Sequence, residues 1–231
     1  MLFHFNHSFG RRIDCNVTIS DVWAEVAFKE YKNAPKMGWL PSEITPPFWT
    51  TGRQVRIDLS QYDPTSHKFP SNLHFTVIKI DTFNMLRLRR LWEQHTRNSF
   101  LFPDSCANYD DLFKYQPEHK RLVLIYNNSR LTAYSLIRTW PVFASLQLVL
   151  DQKNPELDIG VHSQFYEQNI VKKSGHRYLY LGCGYDTSSL WMAEYKGFQF
   201  WTGEIWSSDK EKYVQLCNYE GRLNYISELS G

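Results

Sequence analysis

The ten residues 177–186, RYLYLGCGYD, constrain the fold of this chain more than any other stretch. Residues 178–181 are aromatic or aliphatic and carry no charge, a composition typical of a buried β-strand. Gly182 and Gly184 accept backbone angles that other residues resist, so the strand is expected to end there. The polar residues that follow, Asp186 among them, then lie at the carboxyl end of a central strand, where open α/β sheets bind ligands. A simple turn after a buried strand would produce the same pattern.

Periodicity predicts the elements of the first half of the chain. Polar and apolar residues alternate over 54–59, as in a half-buried strand, and 73–80 is predicted to form a second strand. The spacing of apolar residues then predicts an amphipathic helix over 83–97, followed by a short helix at 108–113.

The second half is predicted to contain three antiparallel strands, a helix and two more strands, in that order, at 122–126, 131–140, 144–150, 161–173, 178–181 and 198–205. A turn at 127–129 joins the first two of these strands into a hairpin. The helix carries Val161, Phe165, Gln168 and Ile170 on roughly one side.

This order of elements is that of the N-acyltransferase (GNAT-type) fold. We therefore predict an α/β (α+β) fold in which helices flank a mixed, mostly antiparallel central sheet. Residues 1–70 are expected to be an irregular N-terminal region, because prolines and glycines punctuate much of it. Residues 71–231 are expected to be the GNAT-like domain.

Two segments resemble the arginyl-tRNA–protein transferase family and its bacterial leucyl-transferring relatives. Tyr180-Leu181-Gly182, a loop and then residues 192–198, MAEYKGF, are similar to the family's Tyr-Leu-Gly-Tyr, short loop and Met-Ala-Tyr-Lys-Ala-x-Phe. Residues 51–66 resemble the family's segment Pro-x-Arg-Ile-x-Val-x-x-Phe-x-Pro-Ser. This chain departs from the pattern at the inserted Glu194 and at Cys183-Gly184, and it has no cysteine cluster before residue 51.

A third match lies between these segments. The family's Tyr-Asp-Pro, Ser-Leu-Gly and following helix correspond to residues 150–163, in which Asp151, Gly160 and Ser163 match. The resemblance thus covers about residues 50–205 in one consistent order. It implies an enzyme that transfers an amino acid from an aminoacyl-tRNA, its co-substrate, to the amino group of a protein N-terminus, a peptide or another amine. It implies no other cofactor.

The resemblance also implies site residues. The amine must be deprotonated and held close to the aminoacyl ester, and an oxyanion must be stabilised. Asp151 and Asp186 are candidates for binding the donor's α-ammonium, and Lys196 for binding a tRNA phosphate or the developing negative charge. Tyr180 and Tyr195 are candidates for stacking on the terminal adenine or for supplying a hydroxyl. Core packing explains the two tyrosines equally well, and Lys196 is also explained as a surface lysine.

The predicted catalytic residues are therefore Asp151, Asp186, Lys196 and Tyr180. The residues predicted to bind substrate or tRNA are Arg53, Arg56, Gly160, Ser163, Gly182 and Tyr195.

The turn before the helix at 161–173 argues against coenzyme A as the donor. A GNAT turn that grips pyrophosphate uses two glycines and the backbone N–H groups of a helix N-terminus. Residues 157–162 contain only Gly160, and Asp158 would repel a phosphate. His162, at the start of the helix, is a candidate general base.

Net charge and cysteine content limit which nucleic-acid and metal partners the sequence predicts. The net charge of +2 and the pI near 8.3 permit a nucleic-acid partner without demanding one. The cysteines are widely spaced, at Cys15, Cys106, Cys183 and Cys217, so neither a metal site nor a metal cofactor is expected. With no run of residues like a signal peptide or a membrane span, we expect a cytoplasmic protein with no membrane partner.

Two alternative functions remain open from the sequence. One is an N-acyltransferase of the GNAT type that uses acyl-CoA. The other is a non-catalytic relative that binds tRNA or a protein partner, which the departures at Cys183-Gly184 and Glu194 would accommodate. The amino acid transferred, the acceptor and the oligomeric state do not follow from the sequence.

Overall fold

The computed structural model describes residues 3–11, 16–42, 48–80, 85–99, 109–114, 116–151 and 155–220. The chain divides into two compact units, residues 59–180 and residues 1–58 with 181–231. We call them the middle unit and the terminal unit. The domain boundary expected near residue 70 stays a prediction.

Antiparallel strands form the sheet of the middle unit. In spatial order they are β6 (Leu73–Lys79), β7 (Lys120–Asn127), β8 (Arg130–Arg138) and β9 (Ala144–Leu150). Strand β10 (Tyr178–Cys183) begins parallel to β9, with Tyr180 opposite Ala144. Asn128 and Ser129 turn β7 into β8, and Asn128 takes the left-handed conformation that asparagine tolerates. The predicted hairpin is thus confirmed.

Two helices cover one face of this sheet. They are α1 (Met85–Ser99) and α2 (Tyr109–Lys114). Helix α1 buries Leu88, Leu91 and Trp92, whose i, i+3, i+4 spacing gives it one apolar stripe. These side chains pack in one core with Leu122, Leu124, Tyr134 and Leu136 of the strands and with Tyr109 and Phe113 of α2.

Helix α3 (Ile159–Lys173) packs against β8 and β9 and buries a mainly polar face. It begins two residues earlier than predicted, at Ile159. Its buried residues are Ile159, Ser163, Gln164, Glu167, Gln168 and Val171. A helix normally buries an apolar stripe, so this face is unusual. Of the side chains that suggested the helix from sequence, Gln168 is buried but Val161 is 44% exposed.

The terminal unit contains two groups of antiparallel strands. In the first, the order is β1 (Phe3–Arg11), β2 (Asn16–Ala24), β4 (Trp49–Thr51) and β3 (Leu40–Pro41). In the second, β11 (Phe198–Trp201) lies between β5 (Gln54–Asp58) and β12 (Trp206–Ser207). Helix α4 (Lys210–Glu220) follows.

The fold-class prediction is confirmed, since helices flank a mixed and mostly antiparallel sheet and the elements follow the predicted order. Three details differ. The described residues before 59 are more regular than expected, because they form β1–β5. Strand β5 is fully buried, not half-buried. The strand expected over 198–205 ends at Trp201, because Thr202 Oγ1 accepts a hydrogen bond from the Ile205 N–H (3.1 Å) and closes a turn.

None of the described helices has both the length and the apolar character that crossing a bilayer requires.

Candidate functional site

A cavity of about 510 Å³ lies within the terminal unit. Its walls include three large aromatic side chains, Trp39, Tyr185 and Trp201. Two basic residues, Arg53 and Lys212, also line it, and none of its described lining residues is acidic. The cavity therefore offers flat apolar surfaces and positive charge to a ligand.

The cavity is built from segments that are far apart in sequence. Thr51, Gly52 and Arg53 belong to the first segment that resembles the transferases. Tyr185 comes shortly after Gly182 in the second, and Trp201 shortly after residues 192–198. The antiparallel pairing of β5 with β11, with Val55 opposite Phe200, brings two of these segments together.

Arg53 and Tyr185 hold one wall of the cavity in place. The backbone N–H of Arg53 donates to Tyr185 Oη at 3.2 Å, and Arg53 Nη1 donates to the Gly184 carbonyl at 3.3 Å. The guanidinium carbon lies 5.6 Å from the Tyr185 ring centroid, within cation–π range. A Cβ on Gly52 would lie 1.8 Å from Tyr185 Oη, so any other residue there would displace the Tyr185 ring.

Tyr213 explains one departure from the transferase pattern. A Cβ on Gly184 would lie 1.9 Å from Tyr213 Oη, so the bulky residue that is usual at this position has no room. The Tyr213 hydroxyl donates to the Ser189 carbonyl at 3.1 Å. Burial raises the pKa of Tyr213 well above its usual range, which keeps this hydroxyl protonated as a donor.

Asp186 caps a 3₁₀ helix, Thr187–Glu194, that lies within the second segment. Its carboxylate accepts hydrogen bonds from the backbone N–H of Ser188 at 2.8 Å and from the Ser188 hydroxyl. The side chain is buried. Capping is thus the observed role of Asp186, and a part in catalysis stays a prediction.

Lys196 is exposed on a tight turn that leads into β11. The next residue, Gly197, has φ of +87°, and a Cβ there would lie 2.3 Å from the Asp58 carbonyl oxygen. Tyr195 is buried, with its ring edge-to-face against Trp191 at 6.1 Å. Gly182 has φ of +94°, a backbone angle that glycine accepts and other residues resist, as predicted. Strand β10 does not end at Gly182 as expected but continues to Cys183.

Arg56 is buried among aromatic and polar side chains. Its guanidinium carbon lies 3.9 Å from the Trp206 ring centroid, and its Nε donates to Gln199 Oε1 at 2.9 Å. Arg56 thereby ties β5 to β11 and β12. Its predicted role in tRNA binding stays a prediction.

The other predicted residues belong to the middle unit. Asp151 is buried, and its carboxylate accepts hydrogen bonds from Arg130 Nη2 at 2.6 Å and from Gln94 Nε2 at 3.1 Å. Tyr180 is also buried, and its backbone N–H donates to the Phe143 carbonyl at 3.0 Å.

Asp158 occupies the N-cap of α3 with a left-handed backbone (φ of 43°) and an exposed side chain. Near it, His162 Nδ1 lies 2.7 Å from His67 Nε2, and burial lowers the pKa of both imidazoles. A Cβ on Gly160 would make only ordinary contact with Leu148, so glycine is not required there. Ser163 is fully buried and donates to Glu167 Oε1 at 3.4 Å.

Sequence reasoning missed the aromatic walls Trp39 and Trp201, the cation Lys212 and the buried Glu167. One sequence signal was available for the walls, because a glycine, Gly38, directly precedes Trp39. In the structure Gly38 has φ of +74°. A Cβ at Gly38 would lie 2.5 Å from the Trp201 ring, so this glycine marks a close approach. For Lys212 and Glu167, residue type and spacing gave no signal.

The described residues contain no group of three or more His, Cys, Asp or Glu side chains arranged to hold a metal ion. Cys183 and Cys217 form no disulfide. Cys15 and Cys106 lie outside the described residues. A protein without metal stays a prediction.

No protein-family model matches this chain, and no curated protein matches it. Among solved structures, it is similar to a GCN5-related N-acetyltransferase from Kribbella flavida (TM-score 0.40, 12% identity, 57% of this chain and 48% of the other). It is also similar to the C-terminal domain of a protein described as a lysylphosphatidylglycerol synthetase from Agrobacterium fabrum (TM-score 0.42, 11% identity, 68% and 52%). A conserved protein of unknown function from Staphylococcus epidermidis matches with TM-score 0.41 (11% identity, 77% and 67%). The matched region spans about half the length of the first two structures.

Proposed function

We propose that this protein is an aminoacyltransferase that takes an amino acid from an aminoacyl-tRNA and joins it to the amino group of a protein N-terminus, a peptide or another amine. The observation that carries the proposal is the cavity of the terminal unit. Residues 51–53 of the first segment that resembles the tRNA–protein transferases line this space together with Tyr185, which lies in the loop of the second segment more than 100 residues later.

The chemistry of the cavity suits the 3′ end of a charged tRNA. That end is single-stranded and closes with an adenosine, whose base can stack on an aromatic ring and whose phosphate pairs with a cation. The rings of Trp39, Tyr185 and Trp201 supply stacking surfaces, and Arg53 and Lys212 supply positive charge.

The start of α3 supports aminoacyl-tRNA over acyl-CoA. A pyrophosphate that approached this helix N-terminus would meet the exposed carboxylate of Asp158, which opposes the attraction of the helix dipole. His162 stands where a second glycine would let the backbone approach the phosphates, and its ring is engaged with His67.

Substitution of Lys212 tests the cavity as the donor site. Lys212→Met removes an exposed cation from the lining, so binding of aminoacyl-tRNA and the rate of transfer to a peptide should fall roughly 10-fold, as expected for one lost charged contact. Lys210→Met is the matched control, because Lys210 is exposed on the same helix and does not line the cavity. Equal effects of the two substitutions would reject the cavity as the site.

Calorimetry with acetyl-CoA separates the proposal from its alternatives. We expect no measurable heat of binding. A micromolar dissociation constant, about −8 kcal/mol, would favour an acyl-CoA-dependent enzyme. Binding of charged tRNA without transfer to any peptide or amine would identify a non-catalytic relative.

A further inference from the structure

The buried face of α3 contains a carboxylic acid that the proposed reaction does not use. Glu167 is fully buried and lies between the helix and the sheet. Its Oε1 accepts hydrogen bonds from the hydroxyls of Ser135 on β8 and Ser163 on α3. Its Oε2 makes no hydrogen bond to any described residue.

Helix α3 buries further polar side chains near Glu167 in sequence. Gln168 is fully buried, and neither atom of its amide group is hydrogen-bonded to a described residue. Gln164 Nε2 donates to Ser145 Oγ on β9 at 3.2 Å. We call these side chains the polar seam: Ser135, Ser145, Ser163, Gln164, Glu167 and Gln168.

A charged carboxylate is poorly supported in the polar seam. Burial raises the pKa of Glu167 from 4.5 to about 7, and the hydroxyls of Ser135, Ser145 and Ser163 only partly oppose that rise. These hydroxyls come from β8, β9 and α3, and no charged side chain of the described residues contributes to the shift. Ionisation would therefore leave a negative charge facing only neutral groups.

We propose that Glu167 makes the packing of α3 against β8 and β9 depend on pH, with the neutral carboxyl holding the helix in place and the ionised carboxyl loosening it. The direction of this pH dependence follows from the linkage between proton binding and stability. The folded carboxyl has the higher pKa, so the packed state binds more protons than the open state. The contribution to stability is complete below the unfolded pKa near 4.5, declines as the pH rises and reaches its minimum above about 7.

Hydrogen exchange of the α3 amides tests this proposal in the full chain. We would compare wild type with Glu167→Gln, which keeps the shape of the side chain but cannot ionise. Between about pH 5 and about pH 8, after correction for chemical exchange rates, opening of α3 should increase on the order of 50-fold more in wild type than in Glu167→Gln. Glu156→Gln is the matched control, because Glu156 is exposed just before the helix, and it should behave as wild type.

Two results would overturn the proposal. One is the same pH dependence of α3 opening in wild type and in Glu167→Gln. The other is an equal change in β7, which would indicate global unfolding and not loosening of one helix. If Glu167→Gln does not fold, Ser135→Ala serves instead. This substitution removes a hydroxyl that favours the ionised form of Glu167, so the pH at which α3 loosens should rise. An unchanged pH of loosening would reject the proposal.

Discussion

At the scale of single residues, two glycines of the terminal unit make room for tyrosine side chains, and one of them, Gly52, lines the cavity. Gly52 and Gly184 each lie where a tyrosine hydroxyl, of Tyr185 and Tyr213 respectively, occupies the space of a Cβ. From the sequence, we expected Gly184 to serve through its backbone angles. In the structure its φ is not positive, and the close approach of a side chain explains it instead.

Replacement of Gly52 by alanine should disturb this wall. The new Cβ would meet Tyr185 Oη at 1.8 Å, so Gly52→Ala should lower the free energy of unfolding by about 1–3 kcal/mol, as overpacking does, and weaken aminoacyl-tRNA binding. Urea denaturation and tRNA binding measure the two effects. Adding Tyr185→Phe removes the clashing oxygen and should restore part of the loss. A Gly52→Ala protein as stable as wild type would contradict the geometry of the wall.

Substitution of Asp151 tests whether this predicted site residue recognises the donor or only stabilises the fold. If Asp151 binds the donor's α-ammonium, as the resemblance to the transferases implies, Asp151→Asn should weaken binding of charged tRNA while leaving binding of uncharged tRNA nearly unchanged, because the α-ammonium loses a carboxylate. Arg130→Met is the control, because it removes the 2.6 Å ion pair and keeps the carboxylate. If both variants lose stability in a thermal melt and neither discriminates between the two tRNAs, Asp151 acts only in folding.

At the scale of elements, α3 is the helix whose buried side chains differ most from those that its sequence pattern predicted. The pattern that predicted the helix placed Phe165 among the apolar positions, but Phe165 faces away from the sheet and lies under the segment 62–75. The His67 ring stacks on Phe165 at a centroid distance of 3.9 Å, and the Phe75 ring stacks on Tyr166 at 4.4 Å. The apolar side of α3 is therefore covered by a neighbouring loop and strand, which periodicity within the helix does not reveal.

The contact between His67 and His162 should make this covering sensitive to acid. Burial lowers both pKa values below 6.5, so the unfolded chain binds protons more readily than the folded one. The two histidines should thus make their full contribution to stability above about pH 6.5, and that contribution should decline as the pH falls through the pKa values of the folded state. His67→Phe keeps a stacking ring and removes one titrating group, so its melting temperature should fall less than that of wild type on acidification.

His74→Asn is the control for this prediction, because His74 is exposed and should leave the acid response unchanged. A His67→Phe protein with the full acid response of wild type would show that the pair does not cause it.

At the scale of the whole molecule, the order of elements could be predicted and the cavity could not. Strands β6–β9 and helix α1 follow local alternation and periodicity, which the sequence displays directly. The cavity depends on pairings such as Ile57 with Phe198, which join positions far apart in the chain and leave no local pattern. Arg53 was found because it lies in a segment that resembles a known family, whereas Trp39 and Lys212 lie outside every such segment.

The activity that we propose, transfer of an amino acid from tRNA to an amine, can be measured directly. The purified chain would be incubated with a mixed pool of labelled aminoacyl-tRNAs and a library of peptides with free N-termini. We predict label on peptides at a rate that falls with Lys212→Met and stays unchanged with Lys210→Met. No transfer from any aminoacyl-tRNA, together with acetyl transfer from acetyl-CoA to the same peptides, would reject the proposed aminoacyltransferase activity.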